Sequence, residues 1–247
     1  MTLDSATKRA EPLSLRQLGL RKASLILAIT LSVLGCKSAQ EEKTPAPETN
    51  QAFGETVAGL ATYYDATGGG QCSFPESPDD LMVAALNTPQ FDTAAWCGAC
   101  AEIEGSKGKA IVRIVDRCPE CEYGHLDLSQ QAFAAVDDMS KGRVPLKWKF
   151  VSCDISTNMS FHYKDGTSQW WVALQVRNHR LPVKKVELKV DDSWVEVQRR
   201  IYNYFVYESQ VADANPKFRV HAIDDSMVEV TLPTPASDQV IAGSSQF

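Results

Sequence analysis

Apolar and polar residues alternate over short stretches in the first part of the chain. Strands are predicted at residues 59–64 and 146–151, and a hairpin with alternating arms is predicted to turn at residues 105–108. One short helix is predicted over residues 128–136, with Ser129 near its start. Short strands separated by turns at this spacing are typical of a β-barrel.

The second part, residues 159–232, repeats the strand pattern with little helix. Four segments alternate apolar and polar residues: 183–190, 194–197, 218–223 and 228–232. Triplets of two Asp and one Ser at 191–193 and 224–226 indicate hairpin turns. A small antiparallel sandwich of about immunoglobulin size is therefore expected. Residues 234–247 are expected to be loosely held, with Phe247 as the residue that could pack.

The first 36 residues are predicted to be an export signal. Basic residues lead into an apolar run at residues 23–34 that is too short to span a bilayer. The run ends in Val-Leu-Gly-Cys36, similar to the lipobox of bacterial lipoproteins, so Cys36 would carry the lipid. Cleavage after Ala39 is the alternative. Residues 37–53 are rich in Glu, Thr, Pro and Gln and are predicted to form a flexible tether.

Either cleavage leaves six cysteines free to pair, because Cys36 is then lipidated or removed, and an even count in an exported chain indicates a disulfide framework. All six lie before residue 154, which places a domain boundary there, between residues 54–153 and 158–247. Two Cys-x-x-Cys pairs, at 97–100 and 118–121, would also suit a four-thiolate zinc site. The oxidising location argues against zinc, so no metal or cofactor is expected.

Charge narrows the choice of partner. Removing residues 1–35, which carry five bases and two acids, takes the formal net charge from −6 to −9. An acidic protein is not attracted by long-range charge to nucleic acid or to acidic polysaccharides. A neutral polymer is therefore the expected partner, and a membrane is expected to be contacted only through a lipid on Cys36.

Two adjacent tryptophans, Trp170 and Trp171, follow a polar, turn-forming run and precede an apolar segment. Neighbouring residues of a regular strand point to opposite faces, so one ring would be buried and the other exposed. Near the start of a strand this alternation can relax. Spacing alone leaves two interpretations open: a core Trp beside a stray surface Trp, or a flat aromatic platform for sugar rings.

Over residues 54–232 the chain resembles the bacterial expansins. The matching motifs, in chain order, are Ala-Thr-Tyr at 61–63, Glu-Gly-x-Lys-Gly-Lys at 104–109, Asp116, Gly-x-Leu-Asp-Leu-Ser at 124–129, Leu-Lys-Trp at 146–148, Ser-Gln-Trp-Trp at 168–171, Gln-Val-Arg-Asn-His at 175–179 and Tyr-Asn-Tyr-Phe-Val at 202–206. The resemblance implies a mainly β protein, with a six-stranded double-psi β-barrel followed by an immunoglobulin-like β-sandwich that binds cellulose. Expansins loosen cell walls without cutting the polymer.

Site residues follow from the same resemblance. Thr62, Asp116 and Asp127 would line the barrel groove, and Asp127 is the residue on which expansin activity depends. On the second domain, three aromatic residues would form a linear platform that stacks on glucan, with a lysine beside it. These residues are Trp170, Trp171, Tyr202 and Lys164.

The chain departs from the best-known bacterial members at Cys118, where they carry Tyr. One groove aromatic is therefore missing, and Tyr63, Tyr64 or Tyr123 could replace it, with Tyr63 taken as the candidate. The cysteine-containing motif around Cys118 is similar to plant-defence barwin-like and fungal expansin-like barrels. The disulfides expected in this family context are Cys72–Cys97, Cys100–Cys153 and Cys118–Cys121, although spacing alone leaves the connectivity open.

An enzymatic alternative comes from family-45 endoglucanases, which share the barrel and invert with a carboxylic acid and a carboxylate base. Asp127 matches the acid, and Asp65 stands where those hydrolases have their base. Asp65 also fits a turn before the glycines at 68–70. Asp127 could instead cap the following helix, but Ser129 is a ready alternative cap. Asp116 could support a neighbouring loop or Arg117.

Two further classes of function stay open. A surface adhesin would need only the platform, and a lytic transglycosylase acting on peptidoglycan would need an acid near a scissile sugar. His125 and His179 are expected to be structural. The preferred hypothesis is a monomeric, secreted or lipid-anchored, non-hydrolytic expansin-like protein that binds cellulose, a related β-glucan or peptidoglycan.

Overall fold

The computed structural model describes residues 53–247, so the predicted signal, Cys36 and most of the tether lie outside the described residues. The first six strands close into a barrel in the order β1-β5-β2-β4-β3-β6. Their bounds are β1 Val57–Tyr64, β2 Val83–Asn87, β3 Cys100–Glu104, β4 Lys109–Cys118, β5 Leu126–Ser129 and β6 Val144–Val151. The pairs β1–β5 and β2–β4 are parallel, and the other neighbours are antiparallel.

Strict alternation explains the barrel core. In β6 every second residue from Val144 is buried, which turns Leu146, Trp148 and Phe150 inward. Trp148 also needs a polar partner, and its Nε1 donates to the Gly124 carbonyl over 2.8 Å. These inward side chains form one cluster that continues under the helices.

Two short helices cover the barrel, α1 (Thr88–Phe91) and α2 (Gln130–Val136). The prediction of a helix at 128–136 is correct except at its start, because Leu128 and Ser129 still belong to β5. Ser129 caps α2, and its Oγ accepts the Ala132 N–H over 3.1 Å. Asp127 is therefore free of the capping role.

The remaining eight strands are antiparallel and follow the order β13-β12-β9-β10-β11-β8-β7-β14. Their bounds are β7 Ser160–Tyr163, β8 Val172–Arg177, β9 Val183–Val190, β10 Ser193–Arg199, β11 Phe205–Tyr207, β12 Lys217–Ala222, β13 Met227–Thr231 and β14 Gln239–Ala242. Strand β10 pairs with β9 on one side and with β11 on the other, so the sheet folds over a shared core that includes Phe161, Leu188 and Phe218. The expected fold class, a double-psi barrel followed by a β-sandwich, is confirmed.

The expectation of a loosely held C-terminus is wrong. Residues 239–242 form β14, which pairs antiparallel with β7, and Phe247 packs against the sandwich core. Asp238, directly before β14, also bonds to His162. The segment has a weak local pattern and is ordered by its distant partner strand.

Three disulfides join Cys72–Cys97, Cys100–Cys153 and Cys118–Cys121, the same three pairs that the family context suggested. The four cysteines of the two Cys-x-x-Cys pairs are therefore unavailable to zinc as thiolates. Within residues 53–247 no group of three or more His, Cys, Asp or Glu side chains could hold a metal ion. Over the same range no helix is long and apolar enough to cross a membrane.

Candidate functional site

Four adjacent barrel strands bring one row of residues together. Thr62 on β1 pairs with Asp127 on β5, Asp127 pairs with Ala85 on β2, and Ala85 pairs with Asp116 on β4. Residues paired across neighbouring strands share a face of the sheet. The row therefore lies along one side of the barrel, with the small Ala85 methyl between the two carboxylates. The three expected groove residues do share this surface.

Asp127 is held by a chain of hydrogen bonds. Thr62 Oγ1 donates to Asp127 Oδ1 over 2.5 Å and lies 2.9 Å from His125 Nε2. Because the single hydroxyl proton of Thr62 points to Asp127, Oγ1 must accept from His125, which places the imidazole proton on Nε2. His125 thus fixes the orientation of Thr62, and Thr62 fixes that of Asp127.

His125 is a site residue that the sequence reasoning set aside as structural. It is buried in the wall of the groove, and burial lowers its pKa below the usual histidine value, with Arg143 adding to the effect. A neutral imidazole is the form that this hydrogen-bond chain needs. Its position two residues before Asp127 is the signal that could have found it, since i and i+2 share a face in extended chain.

The pKa of Asp127 is raised above the ordinary carboxyl value, chiefly because burial disfavours the charged form. The hydrogen bond from Thr62 acts in the opposite sense, and Glu120 and Asp116 add smaller repulsive contributions. Asp127 is therefore closer to exchanging a proton at mildly acidic pH than an exposed aspartate is. As a carboxylate it can accept hydrogen bonds from hydroxyl groups, and as an acid it can also donate one.

Asp116 supports a loop, the alternative role weighed for it. Its Oδ1 accepts the backbone N–H groups of Gln71 and Arg117 over 2.6 and 2.8 Å. Gly70 fits against this carboxylate because a Cβ there would lie only 2.4 Å from the Asp116 Cγ, and its φ of +151° also favours glycine. Asp116 thus anchors the glycine-rich loop at the end of the groove row.

Tyr64, and not the candidate Tyr63, lies on the groove face of β1. Tyr63 turns to the other face of β1, where its ring meets Phe133 edge-on at 4.9 Å. Tyr64 lies on the same face as Thr62 and packs on Ala85 and the Cys118–Cys121 disulfide. Burial, with Asp116 and Asp127 nearby, raises the pKa of Tyr64. Its hydroxyl is buried and has no hydrogen-bond partner among residues 53–247.

Asp65 does not join the row. It follows β1 directly, and its carboxylate accepts a hydrogen bond from Gln130 Nε2 at the start of α2. Alternation along β1 puts Thr62 and Tyr64 on the groove face, whereas Tyr63 faces α2. Asp65 is therefore oriented towards Gln130 at the start of α2.

A tight turn explains how both tryptophans reach the surface. Ser168 N–H donates to the Trp171 carbonyl over 3.0 Å, and Trp171 N–H donates back over 3.3 Å, directly before β8 begins. Trp170, at the tip, is 60% exposed. Trp171 is half-buried and packs with Tyr202 on Ala173, Tyr204 and Val206. Both rings therefore lie outside the sandwich core.

Lys164 lies on the same sheet face, with its Nζ 6.0 Å from the centre of the Tyr204 ring. Tyr204 in turn contacts Tyr202, with the ring centres 6.0 Å apart. We call Trp170, Trp171, Tyr202 and Lys164 the platform. Trp171, Tyr202 and Lys164 lie around Tyr204 on one face of β8 and its neighbours, and Trp170 is exposed at the adjoining turn.

A buried histidine that the sequence analysis did not single out supports the platform from the side. His162 Nδ1 lies 2.7 Å from Tyr204 Oη and 2.8 Å from Arg177 Nη2, and Nε2 lies 3.0 Å from Asp238 Oδ1. Arg177 can only donate, so Nδ1 accepts and Nε2 carries the proton. Burial lowers the pKa of His162, which favours this neutral form.

Comparison with known proteins gives consistent matches. A protein-family model described as lytic transglycolase matches residues 83–148, within the barrel. Expansin-YoaJ of Bacillus subtilis (strain 168) is 34% identical over 192 residues, which cover 76% of this chain and 82% of the relative. Expansin-like protein 5 of Dictyostelium discoideum is 32% identical over 200 residues, covering 76% and 83% respectively.

Solved structures extend the likeness to the whole fold. An expansin of Clavibacter michiganensis in its apo form superposes with a TM-score of 0.73 and is 31% identical, covering 78% of this chain and 98% of that chain. The same protein, as an Asp-to-Asn variant, was also solved in complex with cellohexaose.

Proposed function

The chain belongs to the expansin family, and on that basis we propose that it binds cellulose or a related β-glucan and loosens contacts between polysaccharide chains without cutting them. The observation that carries the proposal is the platform, where Trp171 packs with Tyr202 on the outside of the sandwich and the 60% exposed Trp170 lies at the adjoining turn. The solved relative that holds cellohexaose supports the choice of a glucan ligand. The functional units proposed are residues 54–153 for the groove and 158–247 for the platform.

Stacking is the attachment step. The flat faces of glucose rings carry C–H groups, which pack against aromatic faces and release water from both surfaces. Trp170 offers the most exposed ring for this contact, and Trp171 and Tyr202 continue the surface over a rigid base. Lys164 supplies a hydrogen-bond donor at its edge. Because the contact is apolar and the ligand is neutral, binding should depend weakly on salt.

The barrel groove carries out the loosening step. Asp127, oriented by Thr62, accepts hydrogen bonds from glucan hydroxyls that would otherwise bond to a neighbouring chain. Glucan–glucan hydrogen bonds are replaced by protein–glucan hydrogen bonds, so no covalent step is needed.

The placement of Asp65 supports a non-hydrolytic mechanism. An inverting endoglucanase needs a base that activates water opposite the acid, at roughly 6.5–9.5 Å from it. Asp65, the candidate base, is oriented towards Gln130 on α2. Asp116, the other carboxylate of the row, already accepts two backbone N–H groups. Asp127 therefore has no evident partner for inversion within the row.

Lytic transglycosylation is the second candidate, favoured by the family match over residues 83–148 and by the raised pKa of Asp127. This reaction can proceed with one acid. Incubation with purified peptidoglycan tests it, because anhydro-muropeptides released by the wild type and not by Asp127→Asn would establish it. Reducing ends released from soluble β-glucan would instead establish the endoglucanase alternative.

The protein is proposed to act outside the cytoplasm. Three disulfides persist in an oxidising location, which agrees with the export signal predicted from the sequence. A lipid on Cys36 would tether the two domains to a membrane through residues 37–53, and the protein is proposed to work as a monomer. Metabolic labelling with a palmitate analogue, compared between the wild type and Cys36→Ala, tests the anchor.

The function is tested by separating attachment from loosening. Asp127→Asn should keep pull-down on microcrystalline cellulose within about twofold of wild type and reduce the creep of wall strips under load to the buffer level. The matched control is Asp79→Asn, an exposed aspartate outside the groove row, which should leave both readouts unchanged. Wild-type protein that neither binds cellulose nor extends wall strips would contradict the proposal.

A further inference from the structure

One carbonyl oxygen of the barrel accepts two hydrogen bonds from the sandwich. The Cys72 carbonyl accepts hydrogen bonds from Gln175 Nε2 over 2.9 Å and from Asn203 Nδ2 over 3.2 Å. Both amide side chains belong to the sandwich and are buried, with Gln175 fully inaccessible to solvent. Two buried donors on one acceptor form a polar joint between the barrel and the sandwich.

The Gln175 amide has a fixed orientation. Its Oε1 accepts a hydrogen bond from Arg177 Nε, and a guanidinium can only donate. The amide nitrogen must therefore face the barrel, where Ser73 offers a second carbonyl at 3.3 Å. A buried amide that lost these partners would leave unsatisfied polar groups, so the pairing favours one relative position of the two domains.

On the barrel side, the joint adjoins the groove. Cys72 N–H donates to the Val115 carbonyl over 3.1 Å, and the preceding Gln71 N–H donates to Asp116 Oδ1 over 2.6 Å. The same loop thus carries the anchor of the groove row and the acceptor of the joint.

On the sandwich side, the joint adjoins the platform. Asn203 follows Tyr202 directly, in the left-handed conformation (φ +60°) that asparagine tolerates well. Trp171 at the start of β8 and Gln175 within it face the same side of the sheet, roughly 13 Å apart along an extended chain. One short strand therefore spans the distance between platform and joint.

A disulfide strengthens the barrel surface at this place. Cys97, bonded to Cys72, precedes Gly98, and a Cβ at Gly98 would lie 2.6 Å from His179 Nε2 of the sandwich. Nearby, the Ala94 carbonyl accepts from Arg199 Nη1 over 2.9 Å. The Cys72–Cys97 bond thus links the two barrel segments that contact the sandwich.

We propose that Gln175 and Asn203 are positioning residues for wall loosening, because they hold the Cys72 carbonyl and so align the groove with the platform on one glucan chain. The inference rests on the function proposed above. Two sites in fixed alignment engage one ligand with a high effective concentration, and this advantage falls when the joint becomes flexible. Attachment through the platform alone needs no such alignment.

Three variants test the proposal. Gln175→Met keeps length and removes both polar atoms, Gln175→Glu places an acceptor against the Cys72 carbonyl, and Asn203→Gly removes a donor while allowing positive φ. Gln131→Met, at an exposed position of α2, is the matched control. Each protein is assayed for cellulose pull-down and wall creep. Residual dipolar couplings of backbone amides are measured for residues 57–151 and 160–242.

For the wild type and Gln131→Met, one alignment tensor should fit both sets of couplings. Gln175→Met and Asn203→Gly should need two tensors, keep pull-down within about twofold and lose at least fivefold in creep rate. A simple loss of stability would lower the melting temperature without separating the tensors. If Gln175→Glu does not fold, the two uncharged variants decide the question.

One shared tensor with unchanged creep in both uncharged variants would overturn the proposal. Two tensors with unchanged creep would also overturn it, since alignment would then be irrelevant to loosening. Failure of wild-type protein to bind cellulose would instead refute the function proposed above, and that result is read from the wild type alone.

Discussion

Thr62 and Asp127 are 65 residues apart in the sequence, yet they pair directly across the parallel strands β1 and β5, and Thr62 Oγ1 donates to Asp127 Oδ1 over 2.5 Å. This bond counteracts the burial that raises the pKa of Asp127. Burial therefore raises the pKa of Asp127, and its neighbour on the next strand limits the rise.

Thr62→Val should raise the pKa of Asp127 further, because the bond that favours the carboxylate is lost and burial remains. Carbon-13 NMR of the labelled aspartate carboxyl groups measures this change. The pH profile of wall creep should move to higher pH in parallel, because the proposed loosening step uses the Asp127 carboxylate. Thr62→Ser retains the hydroxyl and should behave as wild type. An Asp127 pKa that is unchanged or lower in Thr62→Val would contradict this assignment.

The two tryptophans should respond differently to substitution. Trp170→Ala should weaken cellulose binding about tenfold, equivalent to about 1.4 kcal/mol, and change stability by less than about 0.5 kcal/mol because the ring is exposed. Trp171→Ala should weaken binding and also cost about 2 kcal/mol of stability, roughly half the cost of a buried ring. Binding isotherms and urea unfolding measure the two effects.

Trp194 supplies the control for the platform. It lies on the other part of the sandwich sheet, with the Arg219 guanidinium 3.9 Å from its ring centre. Trp194→Ala should leave cellulose pull-down unchanged, and the double variant Trp170→Ala/Trp171→Ala should abolish it. Binding retained by the double variant would exclude the platform as the attachment site.

Elements with strict alternation could be predicted from the sequence, and elements that depend on distant partners could not. Strand β6 alternates without interruption, and β9 was placed at its observed bounds. Strand β2 is buried along its whole length and shows no alternation, so it was missed. Strand β14 has a weak pattern of its own and forms by pairing with β7.

The site residues also differ in how far the sequence could predict them. Asp127 and the platform residues were identified by resemblance to expansins, because a contact across 65 residues leaves no local signal. Residues i and i+2 of a strand share a face, so once Thr62 is placed in the groove, Tyr64 rather than Tyr63 is expected beside it. The same rule places His125 on the face of Asp127. The buried Gln175 gave no such signal, since its partners lie on a loop of the other domain.

The three disulfides should contribute to stability in the order of the loops they close. Sequence separations are 53 for Cys100–Cys153, 25 for Cys72–Cys97 and 3 for Cys118–Cys121. The chain-entropy relation gives about 4, about 3.5 and about 1.5–2 kcal/mol. Paired Cys→Ser variants, compared by urea unfolding, measure these losses. A larger loss for Cys118–Cys121 than for the other two would show that the short bridge acts mainly through packing beside Tyr64.

His179 should make the fold less stable at acidic pH. It is fully buried against Gly98, its Nδ1 lies 2.8 Å from the Leu181 carbonyl, and burial lowers its pKa to about 4. In the unfolded chain the pKa is near 6.5. Between these values the unfolded state binds the additional proton, so stability is complete above pH 6.5 and falls as the pH drops towards 4.

The expected loss from His179 is about 2–3 kcal/mol between pH 7 and pH 4.5, obtained from the two pKa values at about 1.4 kcal/mol per unit. The free energy of unfolding is measured in urea for the wild type and for His179→Gln at both pH values. The difference between the two pH dependences gives the contribution of His179, since the other titrating groups are common to both proteins. An equal pH dependence in the wild type and His179→Gln would mean that the folded protein tolerates the protonated His179 side chain.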